Sequence, residues 1–592
     1  MAVMSGHNGE PIAVIGFACR TAGAEGPEDL WQRLTDGARL IQPVPEGRVP
    51  SIDTGLVEAS HTQAALVDDI AGFDAPFFGI SRRMTAWMDP HQRVLLELTW
   101  HALEDAALVP EDLTGVPVGV FASAPMADYR ERMIHANVVD SAAFSGTLNT
   151  FAANRVSYQF DWTGPSYTID SACSSGLSVL APAVQGLRSG EFPLAAVMAA
   201  NVTCNGFYTS TAYQAGALSP TGESVPFSAG RDGYVRGEGG ACLLLKRLDS
   251  ATRDGDPVHA VIRGIGIAHN GRAGGLTGSD AGSQTRLIRD TAQATGVSVS
   301  SVGYMEAHGT GTVGDLAEIE GIAGALYAEQ DSSESELAGP EGKMWVGSVK
   351  SNIGHLETAA GLLSVVKSLL ILRHGLIPPI AGLDRIDPAI KLDGMPLALA
   401  DRSIPWPAGR AVRRIGVNSF GVGGALAHAL VEEPPVTPPA SVGKPIGTTM
   451  CVPLSAGNRA ALCALAARHL DALDGIGPLE LASYVWTVQT GRAALPERRL
   501  LLASDPHELR SALKAVAADA PHDRVAAPGS SQALYLLPDT VVKDATDWLD
   551  GARGDWRAHW ASPPPRRTGG LPRYPFQRRT HWFDAHAPAS LA

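Results

Sequence analysis

The stretch Ile169–Gly176 restricts the fold of this chain more than any other part of the sequence. It begins with apolar residues, places Cys173 among small side chains, and continues at helical spacing with Leu177, Val179, Leu180 and Val184. This pattern predicts a strand that passes through a tight turn into a helix, a connection typical of α/β proteins. At such a turn, free amide groups and the positive end of the helix dipole favour a thiolate. Taken alone, Cys173 is either such a nucleophile or a buried structural thiol.

Predicted strands and helices alternate along most of the chain. The apolar runs Pro11–Ala18, Leu194–Ala200 and Val302–Glu306 predict buried strands, and Thr358–Arg373 predicts a helix with one apolar face. Together they predict an α/β core with buried sheets. This region ends at the proline-rich stretch Glu432–Gly443, because its prolines continue neither a strand nor a helix.

Beyond that boundary, the sequence predicts a small α/β unit and a tail, so we divide the chain into 1–432, 433–538 and 539–592. In the small unit, strands are predicted at Val452–Ala456, Arg499–Ala503 and Ala533–Leu537. The tail carries a YPFQRR motif followed by two more aromatic residues. Aromatic side chains need somewhere to be buried, and the arginines suit an acidic surface, so we expect this tail to pack back on the core.

The overall composition excludes several classes of protein. A formal net charge of −14, without a broad basic patch, argues against nucleic-acid binding. Six cysteines without a CxxC pair predict a reducing, cytoplasmic environment. No apolar run reaches the roughly 18 residues of a membrane span, and the polar start of the chain predicts no signal peptide.

Two histidines follow predicted strands and lie in glycine-containing loops. His308 lies in the segment EAHGTGT, with Thr310 and Thr312 beside it, and His355 ends the segment KSNIGH that begins at Lys350. A glycine-rich loop leaves room for a ring to face a cleft, and the threonine hydroxyls suit a polar or phosphate-bearing arm. Each histidine alone is either catalytic or a hydrogen-bonded structural ring. Because no third ligand pattern accompanies them, we predict no metal site.

These residues belong to five motifs in a fixed order. The motifs are DSACSS at Asp170–Ser175, GYVRGEG at Gly233–Gly239, EAHGTGT at Glu306–Thr312, KSNIGHLE at Lys350–Glu357 and GVNSFGVGG at Gly416–Gly424. Over about Pro11–Glu432 the chain resembles the β-ketoacyl synthases, and among them the ketosynthase domains of modular type I polyketide synthases. The resemblance implies a thiolase-like αβαβα layered fold of two similar halves in a homodimer. It also implies that the small unit is a ketosynthase–acyltransferase-type linker domain.

The resemblance implies a reaction in two halves. Cys173 takes an acyl chain from an acyl carrier protein as a thioester. A malonyl-type extender on a carrier protein then loses CO2, and its enolate attacks the thioester to elongate a polyketide. His308 and His355 donate hydrogen bonds to the extender carbonyl as negative charge develops on it.

The resemblance assigns roles to further residues. They are Lys350, Glu318 and Asp315 as a charge network that orients the histidines, Phe420 and Val422 in an oxyanion and gating loop, and Thr310 and Thr312 on the phosphopantetheine arm. No covalently bound cofactor is implied, because the arm arrives on the upstream and same-module carrier proteins.

Three departures from the family pattern bear on function. The segment Thr312–Glu318 is one residue short and lacks a proline, and Ala425–Ala427 lacks two polar side chains of the usual GTNAH run. Val422 replaces a larger phenylalanine, as is familiar in synthases that use a free-standing acyltransferase. No GHSxG acyltransferase motif follows the linker. The pattern therefore resembles a trans-acyltransferase system, in which a separate enzyme supplies malonyl units.

The sequence is compatible with more than one function. An elongating ketosynthase is favoured because Cys173, His308 and His355 are all present. A non-elongating transfer or gatekeeping domain passes acyl chains without condensation, and the altered segments Val313–Leu316 and Ala425–Ala427 keep it open. A degradative thiolase also uses a cysteine, but the two histidine motifs and the linker argue against it. A scaffold has no need of the complete set of residues.

Overall fold

The structure is a computed structural model that describes residues 9–583, apart from 50–62, 329–338, 408, 410–411, 437–446, 475, 531–532 and 561–563. Most of the predicted proline-rich boundary, 437–443, therefore lies outside the described residues.

A large mixed sheet organises the first part of the chain. In the described part, it has 11 strands: β1 (Ile12–Thr21), β2 (Val118–Ser123), β3 (Ser166–Thr168), β4 (Leu194–Asn201), β5 (Gly239–Arg247), β6 (Ala260–His269), β7 (Tyr304–Glu306), β8 (Met344–Gly347), β9 (Leu397–Leu399), β10 (Arg414–Phe420) and β11 (Ala425–Glu432). Their order across the sheet is β9-β8-β7-β10-β11-β6-β1-β5-β4-β2-β3.

The sheet consists of two halves with the same topology. The first half runs β3-β2-β4-β5-β1 and the second runs β8-β7-β10-β11-β6, with β9 added as an extra strand parallel to β8. With β9 left out of the count, each half has the order 3-2-4-5-1 in its own numbering. In each half, strand 2 of that half's own numbering pairs in parallel with its strands 3 and 4. The pairs 4–5 and 5–1 are antiparallel. The halves join where β1 pairs antiparallel with β6. This arrangement confirms the two similar halves expected from the motifs.

Helices cover both faces of the sheet and fill the layer between the halves. The α-helices of the described residues are Pro27–Thr35, Arg82–Trp87, Pro90–Asp105, Ala127–His135, Ala142–Thr147, Phe151–Phe160, Ser175–Ser178, Leu180–Ser189, Phe207–Gln214, Leu248–Asp254, Ala281–Thr295, Gly314–Tyr327, Lys350–Ile353, Ala360–His374, Arg459–Ala472, Pro478–Thr490, Pro506–Ala517 and Asp539–Leu549. Pro90–Asp105 packs outside the first half, and Ala281–Thr295 packs outside the second.

The middle layer brings the two halves into direct contact. The helix Ala360–His374 contacts strands of both halves and is buried up to its last turn. Gly176 and Gly361 allow the close approach, since a Cβ on Gly176 would lie 2.7 Å from the backbone N of Leu362. The helix after β3 and the helix after β8 thus meet back to back, which sets the turn of Cys173 beside the turn Glu357–Ala359.

A small α/β unit follows the sheet. Its antiparallel sheet pairs Met450–Ala456 with Glu497–Ala503, and the latter with Val525–Ala526. The prediction of a strand at Ala533–Leu537 is wrong, because Leu534–Leu536 forms a 3-10 turn. The third strand of this sheet is Val525–Ala526. A short apolar run is compatible with either a strand or a buried turn. Here it forms a turn whose Leu534 packs into the core of the small unit.

The tail packs back on the large-sheet part of the chain, as predicted. Arg578 lies 2.8 Å from both Glu97 and Glu25, and Arg573 lies 3.0 Å from Glu28. The buried Tyr574 packs in the same apolar cluster as the helix Pro90–Asp105. The strand Arg579–Thr580 pairs antiparallel with Gly72–Phe73. Aromatic burial and ion pairs therefore act on the same segment.

Candidate active site

Cys173 lies in the 3-10 turn Ala172–Ser174, shortly after β3. Ala172, immediately before it, has a left-handed φ of 53°, which is strained for a residue with a Cβ. Side-chain hydrogen bonds hold the turn, among them Ser171 N to Ser175 Oγ at 2.8 Å and Ser419 Oγ to the Cys173 carbonyl at 2.8 Å. The predicted turn between a strand and a helix is confirmed, and its strain presents the thiol at a sharp bend.

The surroundings of Cys173 favour the protonated thiol. Burial raises its pKa to about 12, and the nearby Glu357 carboxylate acts in the same direction. The charge of Lys350 and hydrogen bonds from the amides of Val422 and Cys173 lower the pKa, but not enough to offset burial. The sequence predicted that the helix end favours a thiolate; those amides do act in that sense, yet desolvation outweighs them.

His308 follows β7 in a loop held by two buried carboxylates. Glu318 accepts hydrogen bonds from the amides of His308 (2.7 Å) and Gly309 (2.8 Å). Asp315 accepts from the amides of Thr310 (3.0 Å) and Gly311 (3.1 Å), and from Phe227 at 2.8 Å. In the shortened loop, both carboxylates therefore accept hydrogen bonds from the backbone around His308.

Lys350 contributes to the same loop from the end of β8. Its side chain is buried, and Nζ donates to the carbonyl oxygen of His308 at 2.5 Å. Burial lowers the pKa of Lys350, whereas the charges of Glu306 and Glu318 act to raise it. The lysine and the carboxylates thus each bind the backbone of the His308 loop instead of pairing head to head.

The ring of His355 has a defined orientation. The amide of Glu357 donates to His355 Nδ1 at 2.9 Å, so the ring proton of the neutral form lies on Nε2. Burial and the charge of Lys350 lower the pKa of His355 well below its usual range. His355 is therefore a neutral imidazole that donates through Nε2.

The two histidine rings lie next to each other. Their centroids are 5.5 Å apart at an interplanar angle of 82°, and the ring of Phe420 lies 5.7 Å from that of His308. Burial and Lys350 also lower the pKa of His308 well below its usual range. The turn of Cys173 contacts the turn Glu357–Ala359 that follows His355. The site thus combines one thiol and two neutral imidazoles.

The loop after β10 forms one side of the site. Phe420 is buried against Leu287 and Leu426, whereas Val422 is 50% exposed. Leu426 stands where the family has a polar side chain, and it fills this apolar cluster. Position 421 has no room for a side chain, because a Cβ on Gly421 would lie 2.4 Å from the carbonyl oxygen of Ser171. Val422 is thus an exposed residue of this loop, whereas Phe420 is buried.

The two threonines after His308 form a hydroxyl pair. Thr310 Oγ1 and Thr312 Oγ1 are 2.9 Å apart. Arg231 Nη1 donates to the carbonyl oxygen of Thr312 at 2.7 Å, which fixes this turn. The pair places two hydroxyl groups in the loop that carries His308.

Two groups of residues were missed by the sequence prediction. Arg236 pairs at 2.7 and 3.0 Å with Glu357, the residue whose amide donates to His355 Nδ1. Asn418 donates to Glu318 at 3.0 Å and is itself bonded to the buried His428 at 2.7 Å. The signal for the first was available, because the arginine and the glutamate are charged residues inside two of the five motifs.

Features of other functional classes are missing from the part of the chain that the structure describes. No cluster of three or more His, Cys, Asp or Glu suited to a metal ion occurs there. The helices found there are too short or too polar to cross a bilayer. All six cysteines are unpaired.

Comparison with known proteins agrees with this geometry. "Beta-ketoacyl synthase, N-terminal domain" matches residues 9–251, "Beta-ketoacyl synthase, C-terminal domain" matches 259–384, and "Ketoacyl-synthetase C-terminal extension" matches 387–499. Among solved structures, a cysteine-to-serine mutant of the ketosynthase from module 6 of the bacillaene synthase of Bacillus subtilis 168 has a TM-score of 0.86 at 29% identity, over 97% of this chain and 100% of that one. The oxazolomycin ketosynthase domain OzmH KS7 of Streptomyces albus JA3453 has a TM-score of 0.85 at 30% identity, over 97% and 99% of the two chains.

Curated relatives are much longer than this chain. Erythronolide synthase EryA3 of Saccharopolyspora erythraea is 38% identical over 88% of this chain, which spans 16% of that protein. The 5-methyl-1-naphthoate synthase of Streptomyces sahachiroi is 35% identical over 86% of this chain, which spans 29% of it. The chain thus corresponds to a minor part of each.

The doubled topology and a cysteine turn facing two histidines define an acyl-transferring enzyme with a thiolase-like fold. More specifically, the chain belongs to the β-ketoacyl synthase family, whose members join acyl units by Claisen condensation. Its relatives place it among the ketosynthase domains of modular type I polyketide synthases, which work with acyl carrier proteins.

Proposed function

We propose that this ketosynthase elongates a polyketide, with Cys173 as the acyl carrier and His308 and His355 as the groups that stabilise the enolate. The observation that carries the proposal is the fixed ring of His355, whose Nδ1 accepts the Glu357 amide so that Nε2 can only donate. A donor of this kind suits an oxyanion that develops on the extender.

The first half-reaction is a thioester exchange on Cys173. The sulfur attacks the acyl carbonyl, the carbonyl oxygen becomes negatively charged, and the pantetheine thiol leaves with the proton that Cys173 gives up. The amides of Val422 and Cys173, which already contact the sulfur region, are placed to bind that oxyanion. One thioester bond breaks and one forms, so no further reactant is needed.

The second half-reaction forms the carbon–carbon bond. The malonyl thioester loses CO2, and the electron pair of the broken bond passes into an enolate. Its oxygen accepts hydrogen bonds from the neutral rings of His308 and His355, and its carbon attacks the acyl-cysteine carbonyl. Cys173 leaves as a thiolate and takes up a proton from the solvent. Neutral rings suit this role, because an imidazolium gives up a proton too readily to stay a hydrogen-bond donor.

A carrier protein delivers both substrates through a phosphopantetheine arm. The hydroxyl pair of Thr310 and Thr312 supports a place for this arm beside His308. The arm is flexible and amide-rich, so short hydroxyl side chains in the loop of His308 suit it. No bound cofactor enters the scheme.

One experiment separates elongation from gatekeeping. The protein is incubated with a butyryl N-acetylcysteamine thioester, and the adduct on Cys173 is followed by intact mass; a malonyl-loaded carrier protein is then added, and the β-ketoacyl product is measured. We expect both steps, with Cys173→Ala losing the adduct. We expect His355→Ala to keep acylation within about threefold and to lower condensation by about 100-fold.

Each half of this experiment has its own contrary outcome. Acylation without condensation in the unaltered protein assigns it a gatekeeping role, for which Leu426 and the shortened loop are the first candidates. Failure to acylate contradicts both carrier-dependent functions.

We further propose that malonyl units come from a free-standing acyltransferase. The chain passes from the small unit to the tail without an intervening catalytic domain, and the tail returns to the ketosynthase surface through Arg573 and Arg578. Val422, small and half exposed, supports the same class. The six unpaired cysteines support a reducing, cytoplasmic location.

We also propose a homodimer that forms through the edge of the first half. β3 is an edge strand of the sheet in the described part of the chain, and Tyr167 on it is exposed. Phe144 and Tyr158, on the preceding helices Ala142–Thr147 and Phe151–Phe160, are exposed as well. An exposed strand edge lined by aromatic side chains favours pairing with a second copy. We expect light scattering to give twice the chain mass, and the double change Phe144→Glu with Tyr167→Glu to give the monomer mass.

The matched control for the dimer is Tyr535→Glu, because Tyr535 is an exposed tyrosine in the small unit. It should leave the mass unchanged. A single-chain mass for the unaltered protein contradicts the homodimer.

A further inference from the structure

Glu357, two residues after His355, has an unusual backbone conformation. Its φ is +45°, in the left-handed region that residues with a Cβ rarely adopt. It begins the turn Glu357–Ala359, which contacts the turn of Cys173, where Ala172 is strained in the same way. Strain of this kind persists only where the surroundings hold it in place.

A buried arginine holds this residue. Arg236 Nε lies 2.7 Å from Glu357 Oε1 and Nη2 lies 3.0 Å from Oε2, a two-pronged pair whose side chains are 7% and 9% exposed. The guanidinium is fixed in turn by Thr209 Oγ1 at 2.7 Å and by the ring of Tyr208 at 4.9 Å. Such a pair has a defined geometry and a strong preference for it.

Residues of the pair, or next to it in the chain, form hydrogen bonds with both the ring and the backbone of His355. The Glu357 amide donates to His355 Nδ1, and the backbone of His355 is bonded to Val235 O at 2.7 Å and to Gly237 N at 2.9 Å. Arg236 lies between those two residues in the chain. The ion pair thus links the two backbone segments that position the ring.

We propose that Arg236 and Glu357 are a positioning pair for condensation: their ion pair holds Glu357 in the left-handed turn from which its amide fixes the ring of His355. The inference rests on the proposed role of His355 in condensation. It concerns the second half-reaction and leaves thioester formation on Cys173 to other groups.

Nucleophile activation does not explain the pair. The Glu357 carboxylate raises the pKa of Cys173, which disfavours the thiolate. A carboxylate at this position therefore works against acylation electrostatically. The role left for this carboxylate is to hold the backbone of Glu357, whose amide positions the ring of His355.

The test compares Glu357→Ala with Glu357→Gly in the full chain. Both changes remove the carboxylate, but only glycine adopts a positive φ without strain. We expect the alanine variant to lose condensation by about 100-fold, the scale of a misplaced catalytic group, and the glycine variant to retain at least about five times more. Acylation by the butyryl N-acetylcysteamine thioester should change less than about threefold in both.

A double variant addresses the arginine that these changes leave unpaired. Arg236→Met combined with Glu357→Gly removes the buried charge along with its partner, so it should fold at least as well as Glu357→Gly alone and condense at least as fast. The matched control is Arg413→Met, which breaks the Arg413–Glu433 pair of 2.6 Å at the opposite end of β10 and should leave condensation unchanged.

Several results overturn the inference. Equal condensation by the alanine and glycine variants shows that the turn conformation is irrelevant, and a parallel loss of acylation shows a general structural role. If the unaltered protein acylates but does not condense, the proposed function itself fails, and the inference fails with it. Thermal unfolding of each variant separates poor folding from poor positioning.

Discussion

At the scale of single residues, protonation states define this site. Cys173 is a thiol with a pKa raised to about 12 by burial, and His308 and His355 are neutral because burial and Lys350 lower their pKa values. A neutral site avoids unpaired buried charges before substrate arrives. The thiol gives up its proton only as the thioester exchange proceeds.

This state predicts the pH dependence of Cys173 alkylation. Below its pKa, the thiolate fraction of a thiol rises tenfold for each pH unit, so we expect the iodoacetamide rate to rise about tenfold per unit from about pH 7 to 9 without a plateau. Intact mass measures the rate, and Cys173→Ser gives the background from the other cysteines. A plateau near pH 8 contradicts the prediction and indicates a thiolate stabilised by the turn.

At the scale of elements, the loop between β7 and the helix Gly314–Tyr327 depends on two carboxylates. Asp315 has both oxygens occupied by amide donors, from Thr310 on one and from Gly311 and Phe227 on the other. The family's proline is missing here, but these bonds fix the loop. The spacing from Asp315 to Glu318 on one helix keeps both carboxylates under His308.

Asp315→Asn tests this loop. An amide presents an NH2 group to at least one N–H donor, so a buried donor loses its acceptor at a cost of about 1–3 kcal/mol. We expect a lower thermal unfolding temperature and a condensation rate reduced by about tenfold. The control is Asp280→Asn, because Asp280 caps a helix through one oxygen, 2.7 Å from Ser283 N, and asparagine caps equally well. An unchanged condensation rate in Asp315→Asn contradicts this role.

At the scale of the whole molecule, the tail joins the small unit to the ketosynthase core. Tyr574 is the centre of this contact: its hydroxyl accepts from Gly457 N in the small unit at 3.1 Å, and its ring lies 4.4 Å from that of Phe77 in the core. Arg573 and Arg578 pair with core glutamates on either side. One short segment therefore couples both parts.

Removing this centre should destabilise the molecule. We expect Tyr574→Ala to lower the free energy of unfolding by about 3 kcal/mol, as for other buried aromatic side chains. Urea denaturation followed by tryptophan fluorescence measures the loss. Tyr535→Ala, at a tyrosine that is 74% exposed, should cost less than about 0.5 kcal/mol. Equal losses in the two variants contradict a docking role for the tail.

Much of this architecture could be predicted from local patterns. The turn at Cys173, the strands before His308 and His355 and the aromatic tail each depend on residues close in the chain, so spacing and side-chain size predicted them. The strand at Ala533–Leu537 was predicted wrongly because a short apolar run has no periodicity that separates a strand from a buried turn.

The amino-acid sequence alone thus determined the order of the chemical groups: a cysteine at a turn, two histidines after strands and carboxylates one helical turn apart. Tertiary structure alone decided their state. Arg236 precedes β5 in the first half and Glu357 follows β8 in the second, so they meet only because the fold pairs the backbone of His355 with Val235 and Gly237. The pKa of Cys173 is raised because burial removes the thiol from water. Local sequence sets backbone turns, whereas desolvation and long-range ion pairs depend on which segments the fold brings together.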